Sequence, residues 1–196
     1  MDVKEPPDAD VILHNDFFDW PRSDSLFKTL FTETPWRADS IRMFGKRVLM
    51  PRLTAWYADE GLNYTYSGLT SVPLVWTPTL LSIKNEIETT GEGSFNSVLL
   101  NLYRDERDSV SWHSDDELEL GYNPTIASVS FGETRRFQMK HKEDKTLKKT
   151  FELTHGSLLI MKGATQDRWL HQVPKEAKPC GPRINLTFRK IGARFV

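Results

Sequence analysis

Residues 183–189, RINLTFR, alternate without a break between apolar and polar side chains. In an extended strand successive side chains point to opposite faces. Ile184, Leu186 and Phe188 therefore share one face, and Arg183, Asn185, Thr187 and Arg189 share the other. On an open sheet the cationic face would turn to water. Inside a small closed β structure the same face becomes the lining, where two guanidinium groups need a buried anion to offset their desolvation. A dicarboxylate ligand would supply that charge. LLNLY, residues 99–103, sends Leu99, Asn101 and Tyr103 to one face in the same way and offers an amide and a phenol beside such a cavity.

The neighbours of this strand favour closure. From residue 95 onward strand-like segments recur every ten to fifteen residues: FNSVLLNLYR, TIASVSFG, RRFQMKHK, KTFELTH, SLLIMKG, RWLHQVP and RINLTFRKI. That cadence predicts a mainly β fold of the α+β class, with a jelly-roll (double-stranded β-helix) core. Two helices are expected ahead of it. SDSLFKTLFTE places Leu26, Phe27, Leu30 and Phe31 at helical spacing after Ser23 or Asp24 as N-cap, and TPTLLSIKNEIETTG is capped by Thr77, entered through Pro78 and stopped at Gly91. The aromatic, glycine-bearing stretch between them predicts hairpins and exposed loops. Residues 1–10 are polar with two prolines and are expected to be a disordered lead-in to one domain over 11–196.

The chain has 196 residues, a net charge of -1 and a single cysteine, Cys180. One cysteine excludes an internal disulfide framework and fits a reducing intracellular compartment, cytoplasmic or, in a eukaryote, nuclear. No segment has the length of a membrane span, and the acidic N-terminus is unlike a targeting peptide. A monomer is expected. Near-neutral overall charge means that any nucleic-acid partner must meet a local basic patch. The stretch Glu133–Lys149 is the most basic, with seven Lys or Arg against three acids, although a solvated hairpin face has the same composition.

In SWHSDDELELG, residues 111–121, His113 and Asp115 stand two apart and would project the same way from a strand. Taken alone, H-x-D in an acidic run is equally a solvated loop. A third ligand has to come from elsewhere. Of the five histidines only His171, in DRWLHQVP, sits in a late strand among apolar residues; His14, His141 and His155 lack that setting. Two histidines and one carboxylate with open positions suit non-haem Fe(II) oxygenases, and the same ligands also hold zinc for hydrolysis.

The order H-x-D, a distant histidine, then R-x-N-x-x-x-R resembles the AlkB family of Fe(II)- and 2-oxoglutarate-dependent nucleic-acid dealkylases. The similarity extends through PRLTAWY, YTYSGLT, FNSVLLNLYRDERDSVSWHSDDE, IASVSFG, HGSLLIMKGATQ and RINLTFRKI, roughly residues 43–191. It is greatest to animal DNA-repair homologues, especially the branch that prefers single strands. The resemblance implies that His113, Asp115 and His171 hold Fe(II) and are the catalytic centre. It places 2-oxoglutarate against Arg183, with Arg189, Asn101, Tyr103, Asn185 and Thr187 completing the cradle. With O2 as oxidant, 2-oxoglutarate would be decarboxylated to succinate and CO2, and an N-methyl group of 1-methyladenine or 3-methylcytosine would be hydroxylated and lost as formaldehyde.

A base must leave its stack to reach buried iron. The resemblance puts a nucleotide-recognition lid within about 40–70, where Tyr64 and Tyr66 would clamp the base, and it sets Asp116 against the base. Phe44, in RMFGK, resembles the finger with which a duplex-acting relative wedges into DNA, in contrast to the single-strand character of the rest. Arg52 and the 135–149 region would meet phosphates. Partners implied are alkylated single-stranded or duplex DNA, and RNA. A zinc hydrolase has no use for a 2-oxoglutarate cradle, and a non-catalytic nucleic-acid binder has no use for an intact ligand set.

Overall fold

The computed structural model describes residues 8–43, 46–62, 64–66 and 69–192, with backbone alone for 41–43, 46–47, 64–66 and 69–71. Along the chain run β1 (Asp10–His14), α1 (Trp20–Glu33), β2 (Ser40–Met43), β3 (Lys46–Leu49), β4 (Leu53–Ala58), β5 (Tyr64–Tyr66), β6 (Leu69–Ser71), α2 (Pro78–Glu88), β7 (Ser97–Tyr103) and β8 (Val110–His113). Then come β9 (Ile126–Gly132), β10 (Arg135–His141), β11 (Lys148–Leu153), β12 (Ser157–Lys162), α3 (Thr165–Arg168), β13 (Trp169–Val173) and β14 (Arg183–Arg189). Two antiparallel sheets form the body: a six-stranded one in the order β1-β12-β9-β14-β7-β4, and a four-stranded one in the order β11-β10-β13-β8. β2–β3 and β5–β6 are separate hairpins on either side of β4. Together the sheets make the jelly roll that the strand cadence predicts.

Alternation sorts the larger sheet into two environments. Ile184, Leu186 and Phe188 of β14, Ala127, Val129 and Phe131 of β9, and Leu158 and Ile160 of β12 pack in one buried cluster with α1 and α2. The opposite face of the same strands turns toward the four-stranded sheet, where Leu159, Met161, Phe137, Met139 and Trp169 form a second core. Helices therefore seal the back of the large sheet, and the space between sheets is left for a site.

α1 and α2 each start at a side-chain cap. Thr77 caps α2 as expected, its hydroxyl accepting from Leu80 N at 3.2 Å. The start of α1 differs from expectation: Asp19 is the cap, accepting from Arg22 N at 2.9 Å, with proline in the first turn. Ser23, expected as a cap, is buried inside the helix and donates to Phe18 O at 3.2 Å. β1 falls in a stretch with no expected element; five residues, DVILH, complete the edge of the large sheet against β12. Gly132 ends β9 at φ +90°, and a side chain there would collide with the Pro182 carbonyl and the Phe27 ring. Among the described residues no helix is long and apolar enough to cross a membrane.

Candidate metal centre and cavity

His113 and His171 come together because β8 pairs with β13, which sets them directly opposite one another. Their ring centroids are 4.2 Å apart. Between His171↔His113 and Val173↔Val110 the register shifts: β8 carries one residue more than β13, a bulge. The bulge turns both Val110 and His113 into the same cavity, which strict alternation would forbid. β8 ends at His113, so the expectation that Asp115 projects from the same strand is corrected: Asp115 lies in the following loop. Its backbone N–H donates to Gln166 Oε1 at 2.9 Å instead of to a ladder. Ligand atoms of His113, Asp115 and His171 nevertheless lie within 4.8 Å of one another.

The protonation of these groups suits a divalent cation. His113 Nδ1 lies 2.7 Å from Ser111 O, and a carbonyl only accepts, so Nδ1 carries a hydrogen and Nε2 is the ring atom left to face a metal. Burial, then the neighbouring His113, bring His171 down to about 3, which leaves it neutral at physiological pH. For Asp115 burial raises the pKa, but Arg189 and the two imidazoles outweigh it and hold the carboxyl at about 2. Arg189 Nη2 donates to Asp115 Oδ1 at 2.8 Å, a pair almost wholly removed from water. Two imidazoles and one carboxylate form a donor set for Fe(II) or Zn(II).

Beside this triad is a cavity of about 260 Å³ whose wall includes Asn101, Tyr103, Arg183, Asn185, Thr187 and Arg189. Arg183 is fully buried, and burial pulls its pKa down to about 10. Its Nη2 donates to Ser130 Oγ at 2.8 Å, and its Cζ lies 5.2 Å from the Tyr103 ring centroid. Nε and Nη1 are buried without a hydrogen-bond partner among the described residues. Orphaned guanidinium donors at the wall of a cavity fit a carboxylate, which accepts from them in a fork. Asn185 and Thr187 serve the wall differently. Asn185 Nδ2 donates to Ser128 Oγ and Val129 O at 2.7 and 3.0 Å, and Thr187 Oγ1 donates to Asn185 Oδ1 at 3.0 Å, so the pair braces the sheet.

Residues expected at the substrate are dispersed. Arg52 lies in the cavity wall at 8 % exposure, its Nε donating to Asn101 Oδ1 at 2.7 Å. Asp116 does not line the cavity; it is exposed and accepts from Ser114 Oγ and Lys142 Nζ. Its neighbour Glu117 does line it, together with Asp39 and Asp115, and the Glu117 Oε2 is buried with no partner among the described residues. Glu117 falls on the odd-numbered positions shared by His113 and Asp115, a spacing that could have found it, but it was not singled out from the run of three acids. Phe44 and the side chains of Tyr64 and Tyr66 lie outside the described residues.

Residues 10–189 match the 2OG-Fe(II) oxygenase superfamily. Among curated proteins, the chain is 48 % identical over 190 residues to the alpha-ketoglutarate-dependent dioxygenase alkB homolog 3 of Bos taurus, covering 92 % of this chain and 66 % of the relative. It is 42 % identical over 180 residues to the DNA oxidative demethylase ALKBH2 of Mus musculus, covering 86 % of this chain and 75 % of the relative. The chain thus spans just under two thirds of the length of the alkB homolog 3 proteins it matches. The solved structure of OsALKBH1 superposes with a TM-score of 0.62 at 18 % identity, covering 92 % of this chain and 97 % of that one, a likeness of fold.

Proposed function

Because the chain belongs to the 2OG-Fe(II) oxygenase superfamily, we propose that it is an oxidative demethylase of N-alkylated bases in DNA, and in RNA, acting on 1-methyladenine and 3-methylcytosine. His113, Asp115 and His171 would hold the iron, and Arg183 would hold the distal carboxylate of 2-oxoglutarate. The observation that carries this reading is the pair of orphaned guanidinium nitrogens of Arg183 in the wall of the cavity that the triad also faces. A zinc hydrolase gives them no work. When bound, iron and 2-oxoglutarate supply the oxidising power with O2, releasing succinate, CO2 and formaldehyde; the protein supplies placement and a guarded pocket.

Each residue then has a definable task. Arg183 and Tyr103 orient the dicarboxylate, since a planar fork fixes a carboxylate in a way an ammonium cannot. Arg189 holds the Asp115 carboxylate ionised and aimed. Asn101, gripped by Arg52, and the Asn185–Thr187 brace keep the wall stiff. Glu117 faces the methylated base, where an uncompensated carboxylate favours the cationic forms that N1-methylation of adenine and N3-methylation of cytosine create. Tyr64 and Tyr66 clamp that base, Phe44 works as the finger at the strand, and Asp116 closes the rim with Lys142. The relatives named as alkB homolog 3 and as a DNA oxidative demethylase support the substrate class.

Two experiments test the reading. Anaerobic Fe(II) protein titrated with 2-oxoglutarate should develop a visible absorption band, and an unchanged spectrum would favour zinc. Incubation with O2 and oligonucleotides carrying 1-methyladenine or 3-methylcytosine should shift the base mass by one methyl group, with succinate formed in step; loss of neither mark from metal-loaded protein overturns it. Single-stranded DNA, duplex DNA and RNA run in parallel rank the substrates.

A further inference from the structure

We propose that Gln166 is a positioning residue of the metal centre: by accepting the Asp115 backbone N–H it sets where the carboxylate ligand stands. The inference rests on the metal-binding reading above. Its starting point is a gap in the fold. His113 and His171 are fixed by the β8–β13 ladder, but β8 ends at His113 and no ladder reaches Asp115. A loop residue placed only by chain connectivity would wander, and a ligand displaced by a fraction of an ångström binds metal poorly.

Gln166 supplies what the ladder does not. Its side chain is 1 % exposed, and Oε1 lies 2.9 Å from Asp115 N. The amide cannot be turned over: Nε2 faces Met161 Sδ at 3.6 Å, and a reversed amide would set N–H against N–H at Asp115. Gln166 belongs to α3, the one-turn helix that leads directly into β13 and His171. One short segment thus carries one ligand and braces another. The same helix is tied to the H-x-D loop a second time, since Lys142 Nζ donates to Gln166 O at 3.0 Å and to Asp116 Oδ2 at 3.2 Å. Arg189 aims the Asp115 side chain, while Gln166 fixes its backbone. Without the acceptor, a buried N–H is left unsatisfied, and the loop must move to recover a partner.

The test uses the whole chain and Co(II) as probe, so that its outcome does not depend on turnover. Gln166→Met removes the acceptor at similar volume, Gln166→Glu keeps an oxygen in place, and Gln166→Asn draws it back by one methylene. Affinity is read from the visible d–d bands under chelator competition, and metal-free melting is followed separately. Gln166→Met and Gln166→Asn should bind Co(II) about ten- to a hundredfold more weakly, with altered band positions. Gln166→Glu should stay within about threefold of the parent with parental bands, and the metal-free melting temperatures should not follow this order. Parental affinity in Gln166→Met, or a loss in Gln166→Glu equal to that in Gln166→Met, overturns the proposal. Should Gln166→Met fail to fold, Gln166→Asn decides alone: parental affinity there overturns it and weakened affinity supports it. A parent protein that binds no Co(II) would overturn the metal-centre reading and this inference with it, whereas a binding parent with indifferent variants overturns this inference only.

Discussion

Asp116 and Glu117 are adjacent carboxylates with opposite surroundings. Lys142 and Ser114 satisfy the first at an exposed rim, while the second keeps a buried oxygen without a partner at the cavity wall. A charged hydrogen bond formed only to a cationic base is worth about 1.5–3 kcal/mol, or roughly ten- to a hundredfold in kcat/KM. Glu117→Gln should therefore lower kcat/KM on 1-methyladenine by that factor and leave a neutral lesion such as 3-methylthymine within about threefold. Asp116→Asn should change either substrate by less than about threefold, because its pairing is solvent-screened. Steady-state kinetics on the two lesions checks this, and the reverse ranking of the two variants would sink it. The same pair marks where residue identity stops being legible. The faces of RINLTFR can be read from spacing, since period two is a property of the extended backbone, whereas Asp115 keeps that spacing only in the loop beyond β8. Asp115 and Glu117 both line the cavity and Asp116 does not, in a loop where no ladder imposes that order and where the bond from Asp115 N–H to Gln166 leaves no trace in the acidic run itself.

At the level of elements, β14 does two jobs with one alternation. Leu186 is fully buried between the large sheet and the helices, and its neighbours in sequence face the cavity. Leu186→Ala should cost about 2–5 kcal/mol of unfolding free energy, read from urea denaturation, and weaken 2-oxoglutarate binding only slightly; an unchanged urea midpoint would contradict the packing described. The β7–β8 turn is held electrostatically. Burial raises the Asp108 pKa, but three hydrogen bonds from Arg104, through its backbone N, Nε and Nη2, outweigh burial and leave it below the ordinary carboxylate value. A depressed folded pKa contributes stability that is complete above the unfolded value and drains away as pH falls toward the folded one. Asp108→Asn should thus lose about 1–3 kcal/mol at neutral pH, with a gap to the parent that is flat from about pH 7 to 5 and narrows only below about 4. A gap that narrows between pH 7 and 5 would assign the effect to another group. Strands were readable here because each has an apolar face of its own. β1 and the start of α1 were not, since both depend on partners distant in the chain: β12 for the strand, and the Phe18–Asp19 corner packed under Gly156 for the helix.

For the molecule as a whole, the cavity sets function against stability. Arg183 is a buried cation that, among the described residues, donates to the Ser130 hydroxyl and lies against Tyr103. Replacing such a group with an apolar side chain of similar length is often neutral or stabilising, because desolvation of the charge is no longer required. Metal-loaded Arg183→Met without 2-oxoglutarate should melt at or above the parent. The parent, given 2-oxoglutarate at about a hundred times its dissociation constant, should gain about 2.7 kcal/mol, a rise of roughly 5–11 °C for a chain of this size. Arg183→Met should show no such rise at the same concentration, and Arg183→Lys should show a smaller one, since an ammonium restores charge without the fork. Thermal scans with Mn(II) as a redox-silent metal measure all three. If Arg183→Met melts well below the parent in the absence of 2-oxoglutarate, the guanidinium is a structural strut and not a waiting counter-ion. If it still responds to 2-oxoglutarate as the parent does, the dicarboxylate binds elsewhere in the cavity.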